Sequence, residues 1–449
     1  TWPGEPWSWA VETLENGSAS VTLSHIEHFF RNKLSMKVTL HPGHSFVELS
    51  IKLHNRNSFP NRYLLWTNAG LPATQGTRFI YPMTKTIGHD SAEFGSWPVF
   101  NGVDLSWYKN NKVMLGVFGL DVYDNYMGAY DYEEDYGTLC YTDRRIARGI
   151  KTWTWGVGGV GLRHIENYTD SGVPYIEVQS GRFVWDGNYE FIAPGKSDGW
   201  TEYWFGIGGL GGMTTASRDV AIHLDVNPSD EGPAKLRVVS TGNYPDAVLS
   251  WWADGKERGS ERTPLTVGEP IERQVELDRF SQMPIKIHIA SGQTTLLEHT
   301  VFPEGQPPNP EISSGFIPRD FGPTAELTVE ELFQKGLTEE KLGHLQEAET
   351  AYSEALSRDP HMIGPNLQLG LLAWTRLESH LAIEHFEKAL QREPFNGDAL
   401  FYLAMVHLEL GNPEESRRLF YRLLPSSGKF DQRDYGLGLL AIKEQDYSE

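Results

Sequence analysis

The sequence predicts a multidomain β plus α architecture in three parts: a large antiparallel β-sandwich, a small β-sandwich and a C-terminal all-α solenoid. Three observations carry this prediction. Apolar and polar residues alternate through much of residues 20 to 230, with turn residues between the runs. Shorter runs of the same kind continue to residue 304. From residue 329 onward a set of small and aromatic residues returns 34 positions later, a helical-repeat period. At the usual ~150 residues per domain, a chain of 449 residues divides into about three.

The first part, residues 1–229, reads as antiparallel sheet. Val47, Leu49, Ile51 and Leu53 alternate with polar residues directly after the turn His41-Pro42-Gly43-His44, which places the four on one face of a strand. Tyr63 to Trp66, Val113 to Phe118, Lys151 to Trp155 and Tyr175 to Gln179 continue the pattern. Glycine-rich breaks at 156–161 and 206–212 look like phosphate cradles, but neither is expected between a strand and a helix, so neither reads as a nucleotide loop.

Residues 230–304 carry short strands, at Lys235 to Val239, Val248 to Trp252, Ile271 to Leu277 and Ile285 to Ile289. Their number and spacing suit a small immunoglobulin-like β-sandwich. Residues 305–325 are rich in proline and too poor in apolar residues to form an element, so they read as a linker. In residues 326–449, Gly336, Ala348, Tyr352, Ala355 and Pro360 recur as Gly370, Ala382, Phe386, Ala389 and Pro394, and a third copy runs through Leu403, Ala404, Gly411 and Phe420. Small residues stand where two helices approach, an aromatic wedges between them, and proline ends each unit because it cannot continue a helix. The pattern is that of tetratricopeptide (TPR) repeats, which hold other molecules rather than do chemistry. A protein or peptide partner is expected there. A fourth copy begins near Gly438 and stops at Glu449, so the last repeat is expected to be incomplete, with the C-terminus inside a helix.

Composition narrows the partners. A formal charge of −21 repels phosphate backbones, and no basic stripe offsets it, so nucleic acid is not expected as a partner. Cys140 is the single cysteine, which excludes an intramolecular disulfide, and no Cys/His spacing proposes a zinc site. No apolar run approaches the ~18 residues of a membrane span. The 14 Trp, 19 Tyr and 21 Phe are many, and most precede residue 210. Such rings either fill a wide sandwich core or line a groove and stack on sugar faces. The sequence fits either the cytoplasm or the periplasm.

Several motifs carry a family resemblance. Trp66-Thr67-Asn68-Ala69, Gly102 to Tyr108, Tyr130-Asp131, Lys151 to Gly156, Tyr175-Ile176-Glu177 and Thr201 to Trp204 stand in the order and spacing of bacterial proteins of the domain-of-unknown-function family 5107, as does the entry to the repeats, Glu330-Glu331-Leu332 followed by Lys335-Gly336-Leu337. The chain resembles that family over nearly its whole length. The family in turn resembles the galactose-mutarotase-like β-supersandwich of aldose epimerases, many glycoside hydrolases and some polysaccharide lyases, a fold that does not fix function. A sandwich of this class takes about 250 to 300 residues. The resemblance therefore implies an N-terminally truncated sandwich that lacks its first strands and leaves a sheet edge unpaired.

The resemblance also implies a site. Aldose epimerases place their catalytic base in a strand similar to Ile176-Glu177-Val178-Gln179, which makes Glu177 the candidate base and puts Gln179 on the same face to bind substrate. A second proton-transfer group is expected opposite. Where the family implies histidine the chain has Tyr132, beside Asp131, and the candidates for this role are Asp131, Tyr132 and His89. Trp107, Trp153, Trp155 and Trp204 are the candidate sugar-stacking rings, with Asp104 as a further substrate ligand. The acidic cluster Asp121, Asp124, Asp131, Glu133, Glu134 and Asp135 offers oxygen ligands that suit Ca²⁺, but it lacks EF-hand spacing, and charge runs are usually solvated. No cofactor is expected, and Ca²⁺ is the one alternative this cluster leaves open. Cys140 alternates with apolar neighbours and reads as a core residue.

Two functions follow. One is a carbohydrate-active enzyme, a glycoside hydrolase or mutarotase-like catalyst, positioned by its TPR repeats. The other is a non-catalytic carbohydrate-binding scaffold. A carbohydrate ligand is expected in both.

Overall fold

The computed structural model describes residues 6–27, 31–57, 60–89, 94–170, 172–185, 190–226, 234–253, 255–275, 284–302, 321–341, 344–423 and 430–444. Two antiparallel sheets form the N-terminal sandwich. The first has eight strands, ordered Ser8–Thr13, Ala19–Ile26, Lys33–Leu40, Phe46–His54, Ser197–Gly208, Tyr136–Tyr141, Tyr126–Asp131 and Thr77–Ile80. The second has six, ordered Trp66–Pro72, Tyr175–Gly181, Gly149–Thr154, Leu115–Gly119, Lys85–Gly88 and Phe94–Ser96.

Alternation along each strand divides the sheets into faces. Phe79, Met127, Ala129 and Cys140 of the first sheet pack on Ile150, Ile176 and Val178 of the second. On its opposite face the first sheet presents Phe46, Tyr130, Leu139, Phe205 and Ile207, which bury Ala216, Ala221 and Val239 of the small β unit. The eight-stranded sheet thus lies between the six-stranded sheet and the small β unit. Cys140 is buried there; burial, then the nearby Glu202, pushes its thiol well above the ordinary range, as suits a core residue.

The small unit consists of two four-stranded sheets around one core of Val220, Ile222, Leu236, Leu249, Ile287 and neighbours. Its boundary differs from the sequence expectation. Val220–Asp225 pairs along its whole length with Ala234–Ser240, so the unit begins before residue 220 and not at 230. Both segments alternate in the same way, and alternation names no partner.

The eight helices of the described residues begin with α1 (Gly159–Tyr168), followed by α2 (Val329–Lys341), α3 (Leu345–Arg358), α4 (Ile363–Thr375), α5 (Ser379–Arg392), α6 (Gly397–Glu409), α7 (Pro413–Arg422) and α8 (Phe430–Glu444). Helices α2 to α7 form three pairs, and α8 opens the fourth. Ala348, Ala382, Tyr352 and Phe386 are fully buried, and a Cβ on Gly336 or Gly370 would lie 2.3 or 2.5 Å from the ring of Tyr352 or Phe386. Glycine is required at both positions by this approach. The expected ending inside a helix and most of the expected linker lie outside the described residues.

Helix α1 is a departure from the sequence reading, since the glycines at 156–161 do stand between a strand and a helix. Three of the four, Gly156, Gly158 and Gly161, are nonetheless packed on backbone carbonyls. A Cβ on Gly161 would lie 2.0 Å from the Gly156 oxygen, and one on Gly158 would lie 2.3 Å from the Lys112 oxygen.

Candidate functional site

Strand register collects the candidate residues on the outer face of the six-stranded sheet. Glu177 pairs with Trp153 on one side and Gly70 on the other, and Gln179 pairs with Lys151 and Asn68. Because successive side chains alternate, Tyr175, Glu177 and Gln179 share one face, while Ile176 and Val178 enter the core. The Glu177 carboxylate is held through one oxygen. Its Oε2 accepts from Asn68 Nδ2 at 2.6 Å and from Gln179 Nε2 at 2.9 Å.

Aromatic rings extend this face. The Trp153 ring lies across Gly116, where a Cβ would be 2.5 Å away, and meets His89 at 5.1 Å and Trp155 at 5.3 Å, both edge-on. His89 also stacks on Phe118 at 5.8 Å. The Lys151 ammonium stands 4.9 Å from the Phe118 ring centre and 5.0 Å from that of Trp153. Trp155 stacks on His164 of α1 at 4.0 Å and donates from Nε1 to the Tyr175 hydroxyl at 2.8 Å.

The remaining candidates lie elsewhere. Trp204 does not join this face: its ring packs between the sheets, and its Nε1 donates to Glu202 at 2.9 Å. Glu202, with no exposed surface, also accepts from Trp200 Nε1 at 2.7 Å and from Thr67 Oγ1 at 2.9 Å. Asp104, Trp107, Asp131 and Tyr132 form a second cluster at the edge of the eight-stranded sheet. Trp107 meets Tyr132 at 5.2 Å and lies under Arg78 and Lys109, and Asp104 accepts from the Ser106 amide at 3.0 Å and pairs with Arg78. Asp131 accepts from Thr74 Oγ1, Thr77 Oγ1 and the amides of Glu133 and Glu134. Partial burial opposes its ionisation, but these four bonds outweigh it and hold the carboxyl below the usual range. A carboxylate so occupied anchors its turn and is a poor proton donor.

The acidic cluster is dispersed as well. Asp121 caps the Thr84 and Lys85 amides, Asp124 accepts from Thr215, and Asp135 accepts from Tyr130 and the Gly211 amide. Among the described residues no group of three or more His, Cys, Asp or Glu stands where it could hold a metal.

Sequence reasoning passed over Asn68, Lys151 and Tyr175. All three lie inside the motifs that carry the family resemblance, and the period of two that aims Glu177 and Gln179 at one face aims Tyr175 there too.

Residues 1–207 match the family model of a domain of unknown function (DUF5107), and residues 332–362 and 367–431 match tetratricopeptide repeat models. The chain thus carries a match to DUF5107 over residues 1–207 and matches to TPR repeats within residues 332–431. Among solved structures it is similar to a TPR-domain-containing protein from Parabacteroides distasonis ATCC 8503, at 15% identity over 98% of this chain and 69% of that one, with a TM-score of 0.43. It is similar to a putative aldose 1-epimerase from Escherichia coli K12, at 10% identity over 45% of this chain and 69% of that one, with a TM-score of 0.35. A tetratricopeptide repeat protein from Parabacteroides merdae ATCC 43184 is 22% identical over 26% of this chain and 46% of that one, with a TM-score of 0.25. The chain spans between 46% and 69% of these three proteins.

Proposed function

We propose that the protein binds a sugar on the Glu177 face and that Glu177 acts as a base toward the anomeric hydroxyl, in an aldose-epimerase-like reaction, while the TPR array holds a protein or peptide partner. The observation that supports this is the state of one carboxylate. Oε2 of Glu177 takes both amide donors, which fixes the group, and Oε1 has no partner among the described residues. A fixed carboxylate with one open oxygen, beside the Trp153 ring, suits proton abstraction from a stacked sugar. Two-carboxylate hydrolysis is less well supported. It needs a second carboxyl about 5 to 9.5 Å away, and the paired strand positions of this face carry no other Asp or Glu.

The non-catalytic reading rests on Tyr132, which replaces the histidine implied by the family resemblance and packs between Trp107 and Tyr130. One experiment separates the two: anomer interconversion measured by NMR across a panel of aldoses, with sugar binding measured in parallel. Epimerase-like chemistry predicts turnover that falls by about 10²-fold or more in Glu177→Gln while binding survives. Binding without turnover by the parent protein would favour the scaffold, and release of reducing sugar from glycans would favour a hydrolase.

A further inference from the structure

We propose that Tyr175 is the proton donor that works with Glu177 on the bound sugar, its phenol placed by Trp155; this rests on the reading of Glu177 as the base. Tyr175 and Glu177 are two residues apart on one strand and share its outer face, with Cα atoms about 6.6 Å apart at ~3.3 Å per residue. The Tyr175 ring borders the space over Gly70, the residue paired with Glu177, where a Cβ would be 3.8 Å from Tyr175 Cδ2. Gly70 has no side chain, so that space stays open between the phenol and the carboxylate.

The phenol is also oriented. Its oxygen accepts from Trp155 Nε1 at 2.8 Å, which occupies a lone pair and leaves the O–H to donate elsewhere. Trp155 is in turn held by the His164 ring at 4.0 Å and by Tyr168 at 5.7 Å, both stacked on it. The face therefore carries an acceptor and a donor, each fixed by a neighbour. Of the sequence candidates for donor, Asp131 and Tyr132 lie in the cluster around Trp107 and Thr74, and His89 packs against the Phe118 and Trp153 rings, with Trp153 between it and the Glu177 strand.

The step balances without a further reactant. Glu177 Oε1 takes the proton of the anomeric hydroxyl as the C1–O5 bond breaks, its electron pair goes to O5, and O5 takes the Tyr175 proton. The products are an open-chain aldehyde, a neutral Glu177 and a phenolate that accepts from Trp155. Readdition of O5 to either face of C1 returns both protons and gives either anomer.

The test measures anomer interconversion by the full chain. Tyr175→Phe keeps the ring and removes the hydroxyl, so kcat is expected to fall about 10²-fold with KM within about threefold of the parent. Trp155→Phe keeps an aromatic ring against His164 but removes the N–H donor to the phenol, and is expected to lower kcat about tenfold, again with little change in KM. A parental kcat in folded Tyr175→Phe, alongside loss of turnover in Glu177→Gln, would overturn the role of Tyr175 and leave the base in place. If Tyr175→Phe does not fold, a parental kcat in Trp155→Phe overturns the proposal. A parent protein that interconverts no anomers overturns both readings.

Discussion

Asn68 and Glu177 stand diagonally across one strand pair, and the Asn68 amide reaches Glu177 Oε2 at 2.6 Å from a solvent-exposed position. Asn68 therefore orients the carboxylate without supporting the core. Asn68→Ala is expected to lower turnover about 3- to 10-fold, since Gln179 still holds the same oxygen, and to leave stability within about 0.5 kcal/mol. Steady-state kinetics and denaturant unfolding check both. A stability loss as large as the activity loss would make Asn68 a structural residue.

Gly70 keeps the space beside Glu177 open, on an exposed edge strand. A Cβ there makes only ordinary contact at 3.8 Å, so Gly70→Leu is expected to fold and to fill the space. Sugar binding should then fall at least about tenfold, with melting unchanged within a few degrees. Unaltered binding would place the ligand elsewhere.

Glu202 is buried between the sheets and accepts from two indoles and a threonine hydroxyl. Glutamine in its place turns one acceptor into a donor facing an indole N–H. Glu202→Gln is expected to destabilise the protein by about 1 to 3 kcal/mol, and Glu202→Ala by more, because it strands every donor. Urea unfolding measures both, and a neutral Glu202→Gln would mean that the bonds are dispensable.

Asp124 and His299 meet at 3.5 Å across the boundary between the sandwich and the small β unit. Burial pushes the Asp124 carboxyl up to about 6 and the His299 imidazole down to about 4. Between about pH 4 and 6 the folded state binds more protons than the unfolded one at Asp124 and fewer at His299. The first makes stability fall as pH rises; the second makes it rise. The two slopes oppose each other in the parent. Asp124→Asn should therefore steepen the gain in melting temperature from pH 4 to 6, and His299→Gln should reverse its sign relative to Asp124→Asn. Equal slopes in the two variants would contradict this assignment.

In the repeats, Ala382 has no exposed surface and faces the α4 and α5 contact. Ala382→Leu is expected to cost about 1 to 3 kcal/mol by overpacking. Thermal melting of the full chain, followed by helix ellipticity, checks it. An unchanged helical transition would show that the repeat register is misassigned.

The sequence by itself determined the repeats and the strand-rich character of the chain, because periods of 34 and of two are written along the chain and need no knowledge of what lies beside it. It also placed Gly336 and Gly370 against an aromatic, since the spacing within a helix pair is local. Tertiary structure alone decided the rest. Alternation gives each strand two faces without saying which meets the core, so Trp204 went inside while Trp153 lined the outer sheet. Helix α1 escaped notice because its ten residues include two glycines and owe their form to packing rather than propensity. The fate of each polar group depended on partners distant in sequence. Asp131 is claimed by Thr74 and Thr77, Glu202 by Thr67, and Glu177 by Asn68, and of these three only Glu177 keeps a carboxylate oxygen without a partner among the described residues.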